Sequence, residues 1–355
     1  QDVYDEFNGG VYHPQAIHDF LEYAYHNWSS PAPEFVVLGG DSSYDFKDYF
    51  NYGMISHIPA YLADVDTNMG ETAADNRFVT IVGDDLLPDM HLGRLPIRSL
   101  AQAQDTIAKI TGYEGAPPVD DWYQQVTFVA DDADGGGDFA AYSDNIADNY
   151  LPAPYAAHKS YYGITHPDAG DTTSAIIEDI NQGRLIVSYV GHANTSWWAF
   201  EQLLQKSDIE LMTNADRLAF MVPMTCMTGY YITPGAPDST VSSLSEAMVH
   251  TPGKGAVASW APTGWGVASG HDLLEEGLFT ALFSDGVTRI GAASTQGKLN
   301  MHAQSGGGYP DLYDTYIVFG DPATHLQLQP THALPLEAGW NLVSFNLQPL
   351  ESCAP

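Results

Sequence analysis

One pattern occurs twice in this chain, in LIVSYVGHANTSWW at residues 185–198 and again in LAFMVPMTCMTGYY at residues 218–231. Each segment opens with an apolar, partly β-branched run that has the length of a buried strand. Each run leads to glycine, threonine and one reactive side chain, which is His192 in the first segment and Cys226 in the second. The pattern predicts two buried strands that each end at a chemically useful residue.

The connection between these strands predicts how they are arranged. A helix is predicted at about 199–214, between the two apolar runs. A strand, a crossover and a second strand favour parallel neighbours in one sheet. Ligands of open α/β sheets bind beyond the carboxyl ends of the strands. We therefore expect His192 and Cys226 to meet at one edge of one sheet.

The remainder of the chain alternates between strand-like and helix-like patterns. Short apolar runs at 35–41, 78–83, 126–132 and 255–261 predict further buried strands, with helical spacing of apolar residues between them. This alternation predicts an α/β protein with a mainly parallel sheet that is covered by helices on both faces.

The pattern changes after residue 330. The segment LPLEAGWNLVSFNLQP at 334–349 has the composition of β-strands. We predict one domain over residues 1–330, followed at 331–355 by a short β-like tail that is a linker or the start of a further β domain.

The charge balance restricts the partners of this protein. The chain has 45 acidic residues against 12 lysines and arginines, and its formal net charge is −33. Such a surface repels nucleic acids and anionic membranes, and it suits salty surroundings or a basic substrate. No apolar run approaches the roughly 18–20 residues that span a bilayer. The first residue is glutamine, which suggests a processed N-terminus.

The two cysteines do not indicate a disulfide framework. Cys226 and Cys353 are the two cysteines, too few for a disulfide framework, and a bridge between them is disfavoured because Cys226 ends a predicted buried strand. A cysteine nucleophile needs a base, which His192 would supply, and N–H donors for the oxyanion, which Ala193 and Cys226 would supply. The plain alternative is that Cys226 is a small buried hydrophobe.

Five separated motifs resemble those of the gingipain family of cysteine peptidases. VSYVGHANTSWW resembles the family's histidine motif, and MVPMTCMTGYY resembles its cysteine motif. LPDMHLGRLPIRS, VTFVADDADGGGDF and YDTYIVFGDPATHLQL are similar to the family's Gly-Arg turn, acidic loop and closing segment. The resemblance covers about residues 35–330 and implies a caspase-haemoglobinase fold.

The resemblance also implies an activity and a location. It implies a secreted or surface-attached cysteine endopeptidase in which His192 and Cys226 are catalytic and an acyl-enzyme forms. A carboxylate after the preceding strand supports the histidine in the family; Asp132 is favoured here, with Asp131 and Asp134 as alternatives. The family commonly has Gly-His-Gly where this chain has Ala193 after the histidine, and alanine would be strained if that position needed a positive φ.

The resemblance suggests a substrate preference. Gingipains cleave after arginine or lysine through an acidic residue near the start of the helix that follows the acidic loop. Asp138 is the nearest candidate for that residue, and Trp265 matches an aromatic wall of the pocket. The expected partner is therefore a protein or peptide substrate, with cleavage after arginine or lysine.

The acidic loop at 64–75 suggests a metal. Oxygen-bearing residues recur there at alternating positions, as in calcium loops, although the sixth position is not the glycine of an EF-hand. The candidate ligands of a structural calcium ion are Asp64, Asp66, Asn68, Gly70 and Asp75. No organic cofactor is expected. The alternative is a solvated acidic loop.

Two other functions fit the same sequence. A non-catalytic relative could serve as a surface-layer, adhesin or filament component, and a sortase-like transpeptidase would pass its acyl group to an amine. The family domain usually begins with a strand and a helix before the stretch that matches Tyr4–Phe7. We expect that unit to be missing, or to remain bound as a cleaved N-terminal fragment of the same precursor.

Overall fold

The computed structural model describes residues 1–115, 117–118, 120–235 and 242–328. Cys353 and the predicted β-like tail after residue 330 lie outside these residues, as does the disfavoured bridge between Cys226 and Cys353. The described strands are β1 Phe35–Gly39, β2 Leu62–Asp66, β3 Gly70–Ala73, β4 His91–Leu95, β5 Gln125–Ala130, β6 Ala156–Tyr161, β7 Ile186–Val190, β8 Trp197–Trp198, β9 Leu204–Gln205, β10 Ala219–Met224, β11 Ala256–Pro262 and β12 Tyr316–Phe319.

Helices alternate with most of these strands. The described α-helices are α1 Asp2–Asn8, α2 Pro14–Asn27, α3 Leu100–Gly115, α4 Phe139–Asn149, α5 Ala169–Gln182, α6 Leu244–His250, α7 Ala268–Phe279, α8 Ile290–Ser305 and α9 Pro310–Thr315. A single-turn π-helix, Thr280–Ser284, extends α7. None of the described helices is long and apolar enough to cross a membrane.

Within the described residues, the central sheet has eight strands in the order β1-β4-β12-β11-β10-β7-β5-β6. Adjacent strands in it are parallel, except that β11 and β12 are antiparallel. The sheet is therefore two parallel blocks, joined where β11 meets β12. The predicted mainly parallel sheet is confirmed, and β7 and β10 are parallel neighbours as expected.

Alternate residues of the middle strands face two different cores. Phe220 and Val222 of β10 pack in the core formed with α4, α7 and α8, whereas Met221 packs in the core formed with α5 and α6. The same strands are buried along their whole length, as expected for a sheet covered on both faces. This two-sided cover explains the continuous apolar runs in the sequence.

Two sequence predictions about secondary structure were wrong. The segment 78–83 is not a strand: Phe78 ends a 3₁₀ helix, and the N–H groups of Ile81 and Val82 donate to the Asp89 carboxylate instead of to a neighbouring strand. The segment 199–214 is not one helix, because it completes the β8–β9 hairpin and then forms a 3₁₀ helix, Lys206–Leu211. A short apolar run does not by itself distinguish a strand or a helix from another kind of buried segment.

Candidate active site

The sheet brings the two reactive side chains together. Val190 of β7 pairs with Met224 of β10, and His192 and Cys226 each follow two residues later. Both residues line one cavity of about 370 Å³ at the carboxyl ends of these strands. The structure therefore places His192 and Cys226 at the same cavity at one edge of the sheet.

The turn after β7 requires glycine. Gly191 has a φ of +158°, and a Cβ there would collide with the Cβ of Asp131 and the hydroxyl of Tyr189. That hydroxyl donates to the His192 carbonyl at 2.5 Å, and the Tyr189 ring stacks on Trp198 with centroids 4.4 Å apart. The close approach of these groups fixes the backbone that carries the imidazole.

A carboxylate holds the His192 ring. Nε2 of His192 lies 3.0 Å from Oδ2 of Asp134. The ring centroids of Phe139 and Phe200 each lie 5.3 Å from the centroid of the imidazole. The Gly136 N–H and the imidazole both donate to Asp134 and hold the pKa of its carboxyl below the ordinary value. With Nε2–H donating to Asp134, Nδ1 of the neutral ring is the unprotonated nitrogen.

The contact with Asp134 corrects the choice of Asp132. The chain reverses after β5 through reciprocal backbone bonds between Asp134 and Gly137, which return the Asp134 carboxylate to the imidazole. The exposed Asp132 donates its backbone N–H to Asp131. Asp131 is buried, and its Oδ2 accepts the His192 backbone N–H at 3.1 Å. Burial raises the pKa of Asp131 to about 6.

The nucleophile candidate is largely enclosed. Sγ of Cys226 lies 3.8 Å from the Gly266 carbonyl oxygen. Burial, with a smaller contribution from the Asp66 carboxylate, raises the pKa of the Cys226 thiol. The thiol therefore does not ionise readily unaided, and a base is required for it to react.

Two backbone N–H groups at the cavity have no acceptor among the described residues. The N–H groups of Asn194 and Met227 donate to backbone carbonyls, whereas those of Ala193 and Cys226 have no such partner in the described part of the chain. Ala193 is absent from the described non-glycine residues with positive φ, so alanine is unstrained there. The departure from Gly-His-Gly therefore leaves the N–H donor in place.

Aromatic and aliphatic groups form the cavity walls. Trp265 lines it as predicted, with 46% of its surface exposed. Trp197, Phe200 and Met227 also line it. The sequence analysis did not single them out, although Trp197 and Met227 lie within the histidine and cysteine motifs. Asp138 does not line the cavity: its carboxylate accepts the Ala141 N–H at 3.1 Å and caps α4.

The predicted calcium ligands have other contacts. Asp66 accepts backbone N–H groups from the turn between β2 and β3 and from Trp265. Asp75 is buried against Arg94, 2.6 Å away. The carboxylates of Asp64, Asp66 and Asp75 are not among the described groups whose oxygens converge closely enough to hold a metal. The pairing with Arg94 occupies Asp75. The calcium site, whose predicted ligands also include Asn68 and Gly70, stays a prediction.

Several known proteins resemble this chain. Gingipain R2 of Porphyromonas gingivalis strain ATCC 33277 is 25% identical over 274 residues, which are 70% of this chain and 34% of that protein. Gingipain R1 of Porphyromonas gingivalis is also 25% identical over 274 residues, 70% of this chain and 25% of that protein. The chain thus spans about a third or less of the curated relatives it matches.

Solved structures support the fold. The crystal structure of the Arg-specific cysteine proteinase gingipain R has a TM-score of 0.73 and 21% identity, covering 91% of this chain and 70% of that one. A complex of the pro- and mature domains of RgpB from Porphyromonas gingivalis has a TM-score of 0.74 at 21% identity, covering 91% of this chain and 72% of that one. These likenesses confirm the predicted caspase-haemoglobinase fold.

The family itself is identified from the sequence profile of Peptidase family C25, which matches residues 1–327. The match includes both reactive side chains and nearly every described residue. The chain belongs to peptidase family C25.

Proposed function

We propose that this protein is a cysteine endopeptidase. The observation that carries the proposal is that Cys226 and His192 line one cavity, while the Asp134 carboxylate lies 3.0 Å from Nε2 of the imidazole. This arrangement of nucleophile, base and orienting group supports nucleophilic catalysis of acyl transfer. Family membership supports the same conclusion.

The proposed reaction follows from these positions. Nδ1 of His192 takes the proton of the Cys226 thiol, and the thiolate attacks the peptide carbonyl. The N–H groups of Ala193 and Cys226 donate to the oxyanion that forms. The imidazolium then protonates the leaving amine, and the C–N bond breaks to give a thioester. Water, deprotonated by His192, attacks the thioester and releases the acid and the free thiol.

The electrostatics of the site favour a proton transfer that accompanies attack. Burial raises the pKa of the Cys226 thiol, so a preformed thiolate is disfavoured at neutral pH. The imidazolium that forms is stabilised by the Asp134 carboxylate. His192 therefore serves as the general base for the thiol.

Alkylation of the thiol tests this proposal. Iodoacetamide at neutral pH is expected to modify Cys226 stoichiometrically and faster than a free thiol, and His192→Ala is expected to abolish the excess rate. Casein is the substrate for a parallel assay, with Cys226→Ala as the control. Alkylation no faster than that of a free thiol, together with no casein cleavage, would favour the non-catalytic surface component.

The products distinguish hydrolysis from transpeptidation. Mass spectrometry of casein fragments formed in the presence of an amine such as glycine methyl ester is expected to show free carboxyl ends. Predominant capping by the amine would instead indicate the sortase-like alternative.

Preference for arginine or lysine, an extracellular location and a bound N-terminal fragment remain predictions. The preference for arginine or lysine was predicted from Asp138, whose carboxylate caps a helix and does not line the cavity. Gingipain R is named as Arg-specific, and a solved complex contains the pro- and mature domains of RgpB. Those properties belong to the named proteins.

A further inference from the structure

We infer that Thr225 is a positioning residue for the proposed reaction: its hydroxyl fixes the turn that carries His192 relative to the strand end that carries Cys226. The inference rests on the proposed peptidase function and adds to it a residue outside the reacting groups. Thr225 is not among the described residues that line the cavity, so it acts through its neighbours and not on the substrate.

The contact lies between the two residues that precede the reactive pair. Oγ1 of Thr225 donates to the Gly191 carbonyl oxygen at 2.5 Å. Gly191 directly precedes His192, and Thr225 directly precedes Cys226. The parallel register of β7 with β10 ends one residue before each of them. The hydroxyl therefore continues the connection between the two chain segments past the last paired residues of the strands.

This contact helps to hold one peptide unit from two sides. The carbonyl of Gly191 and the N–H of His192 belong to the same planar trans peptide group. The carbonyl accepts the Thr225 hydroxyl, and the N–H donates to Oδ2 of Asp131 at 3.1 Å. Because the two groups point in opposite directions, a rotation of the peptide plane weakens both hydrogen bonds. The orientation of this plane determines the direction in which the His192 side chain leaves the backbone.

Thr225 is itself held in place. It is 1% exposed, so water has little access to its hydroxyl and offers no ready substitute for the bond to Gly191. Its backbone N–H donates to the Tyr316 hydroxyl at 3.2 Å, and that hydroxyl donates to the Pro223 carbonyl at 3.3 Å. Tyr316 belongs to β12, two places from β10 in the sheet, and is fully buried. The sheet therefore supports the Thr225 side chain from behind.

The expected consequence concerns proton transfer. His192 has to accept the proton of the Cys226 thiol, and a misplacement of reacting groups by about 1 Å lowers rates by about 10²-fold. Without the Thr225 hydroxyl, the Asp131 contact alone would hold the peptide plane on this side of the turn. Substrate binding depends on the cavity walls, which the change leaves in place. The loss should therefore fall on kcat and not on KM.

Two substitutions isolate the hydroxyl. Thr225→Ala removes the hydroxyl and the methyl group, whereas Thr225→Ser removes the methyl group alone. Steady-state cleavage of fluorescein-labelled casein measures both. Thr225→Ala is expected to lower kcat by about 10- to 100-fold with KM within about twofold, and Thr225→Ser to keep kcat within about threefold of the unsubstituted protein. A loss in Thr225→Ser as large as that in Thr225→Ala would overturn the inference, because the methyl group would then be responsible.

Thr228→Ala is the matched control. Thr228 is also buried and lies in the same cysteine motif, but its hydroxyl has no hydrogen-bond partner among the described residues. Removal of the same atoms there is expected to leave kcat unchanged. A loss equal to that in Thr225→Ala would show that packing near the thiol matters and not the bond to Gly191, which would contradict the inference.

Alkylation gives a readout that does not depend on substrate binding. The rate at which iodoacetamide modifies the peptide containing Cys226 is expected to fall in Thr225→Ala toward the rate in His192→Ala. Thr225→Ser is expected to keep the excess over a free thiol. Urea unfolding establishes that each variant is folded. If Thr225→Ala does not fold, Thr225→Val takes its place under the same criteria, because it also lacks the hydroxyl but keeps the volume.

The outcomes separate this inference from the peptidase proposal. A folded variant without the hydroxyl that keeps the original kcat and alkylation rate would overturn the role of Thr225 and leave the peptidase proposal intact. If the unsubstituted protein neither cleaves casein nor is alkylated faster than a free thiol, the peptidase proposal fails and this inference fails with it.

Discussion

Asp132 and Asp134 lie two positions apart, yet Asp134 contacts the His192 imidazole while Asp132 does not. Both are exposed and both belong to the same loop. The difference comes from the reversal of the chain at Asp134 and Gly137, which directs one carboxylate toward the ring. At this scale, function depends on the orientation of a side chain that composition does not reveal.

Replacing each of these acids in turn tests the role of Asp134 as a positioning residue. Asp134→Asn is expected to lower kcat by about 10²-fold with little change in KM, because the amide no longer holds the imidazole tautomer or stabilises the imidazolium. Asp132→Asn removes the same charge from the same loop and is expected to have little effect. Steady-state kinetics with one peptide measure both. Equal losses in the two variants would show that loop charge, not the contact, matters.

At the scale of elements, a buried acid joins a helix to the sheet. Ser188 of β7 donates from its hydroxyl to the Glu275 carboxylate of α7, and both residues are buried. Burial raises the pKa of Glu275 from 4.5 to about 8. The carboxyl therefore holds its proton to higher pH in the folded chain than in the unfolded chain.

This difference predicts a pH-dependent stability. Between pH 4.5 and about 8 the folded state binds the Glu275 proton and the unfolded state does not, so the free energy of unfolding falls as pH rises. Glu275→Gln is expected to stabilise the protein at the alkaline end of this window and to change little at its acidic end. Urea unfolding at the two pH values measures this effect. An equal effect at both pH values would contradict the titration of Glu275.

The β8–β9 hairpin shows how one element can change the chemistry of a site. The predicted helix at 199–214 would have been a simple crossover between β7 and β10. The hairpin and its turn instead supply Trp197 and Phe200 to the cavity. The walls of the pocket therefore come from the connection, whereas the reactive groups follow the strands.

At the scale of the whole molecule, the large net negative charge destabilises the folded state. The net charge of −33 comes from acids that are far more numerous than lysines and arginines. Like charges on a folded surface repel one another, and added salt screens this repulsion. The electrostatic destabilisation of the folded state is therefore greatest at low ionic strength.

Thermal unfolding in increasing salt tests this effect. The Tm is expected to rise steeply between low and moderate NaCl concentrations and then level off, because the screening length shortens most over that range. KCl should give the same curve, and sucrose at matched osmolality should not reproduce the steep initial rise. A Tm that does not change with salt would show that the charges are already locally compensated.

The pattern of residues was sufficient to predict the α/β class, the parallel pairing of β7 with β10, and the placement of His192 and Cys226 at one edge of the sheet. These features follow from short-range rules: buried strands need continuous apolar runs, and parallel strands end at a common edge. The same rules predicted a strand at 78–83 that does not form. The N–H groups of Ile81 and Val82 donate there to the Asp89 carboxylate instead of to a neighbouring strand.

Long-range packing determined the rest of the site. The contact of Asp134 with His192, the pairing of Asp75 with Arg94 and the apolar walls of the cavity all depend on groups brought together from separate elements. An acidic loop has the same composition whether its carboxylates bind metal, cap helices or orient a histidine. Only the partners within reach of each carboxylate distinguish these roles, and folding determines those partners.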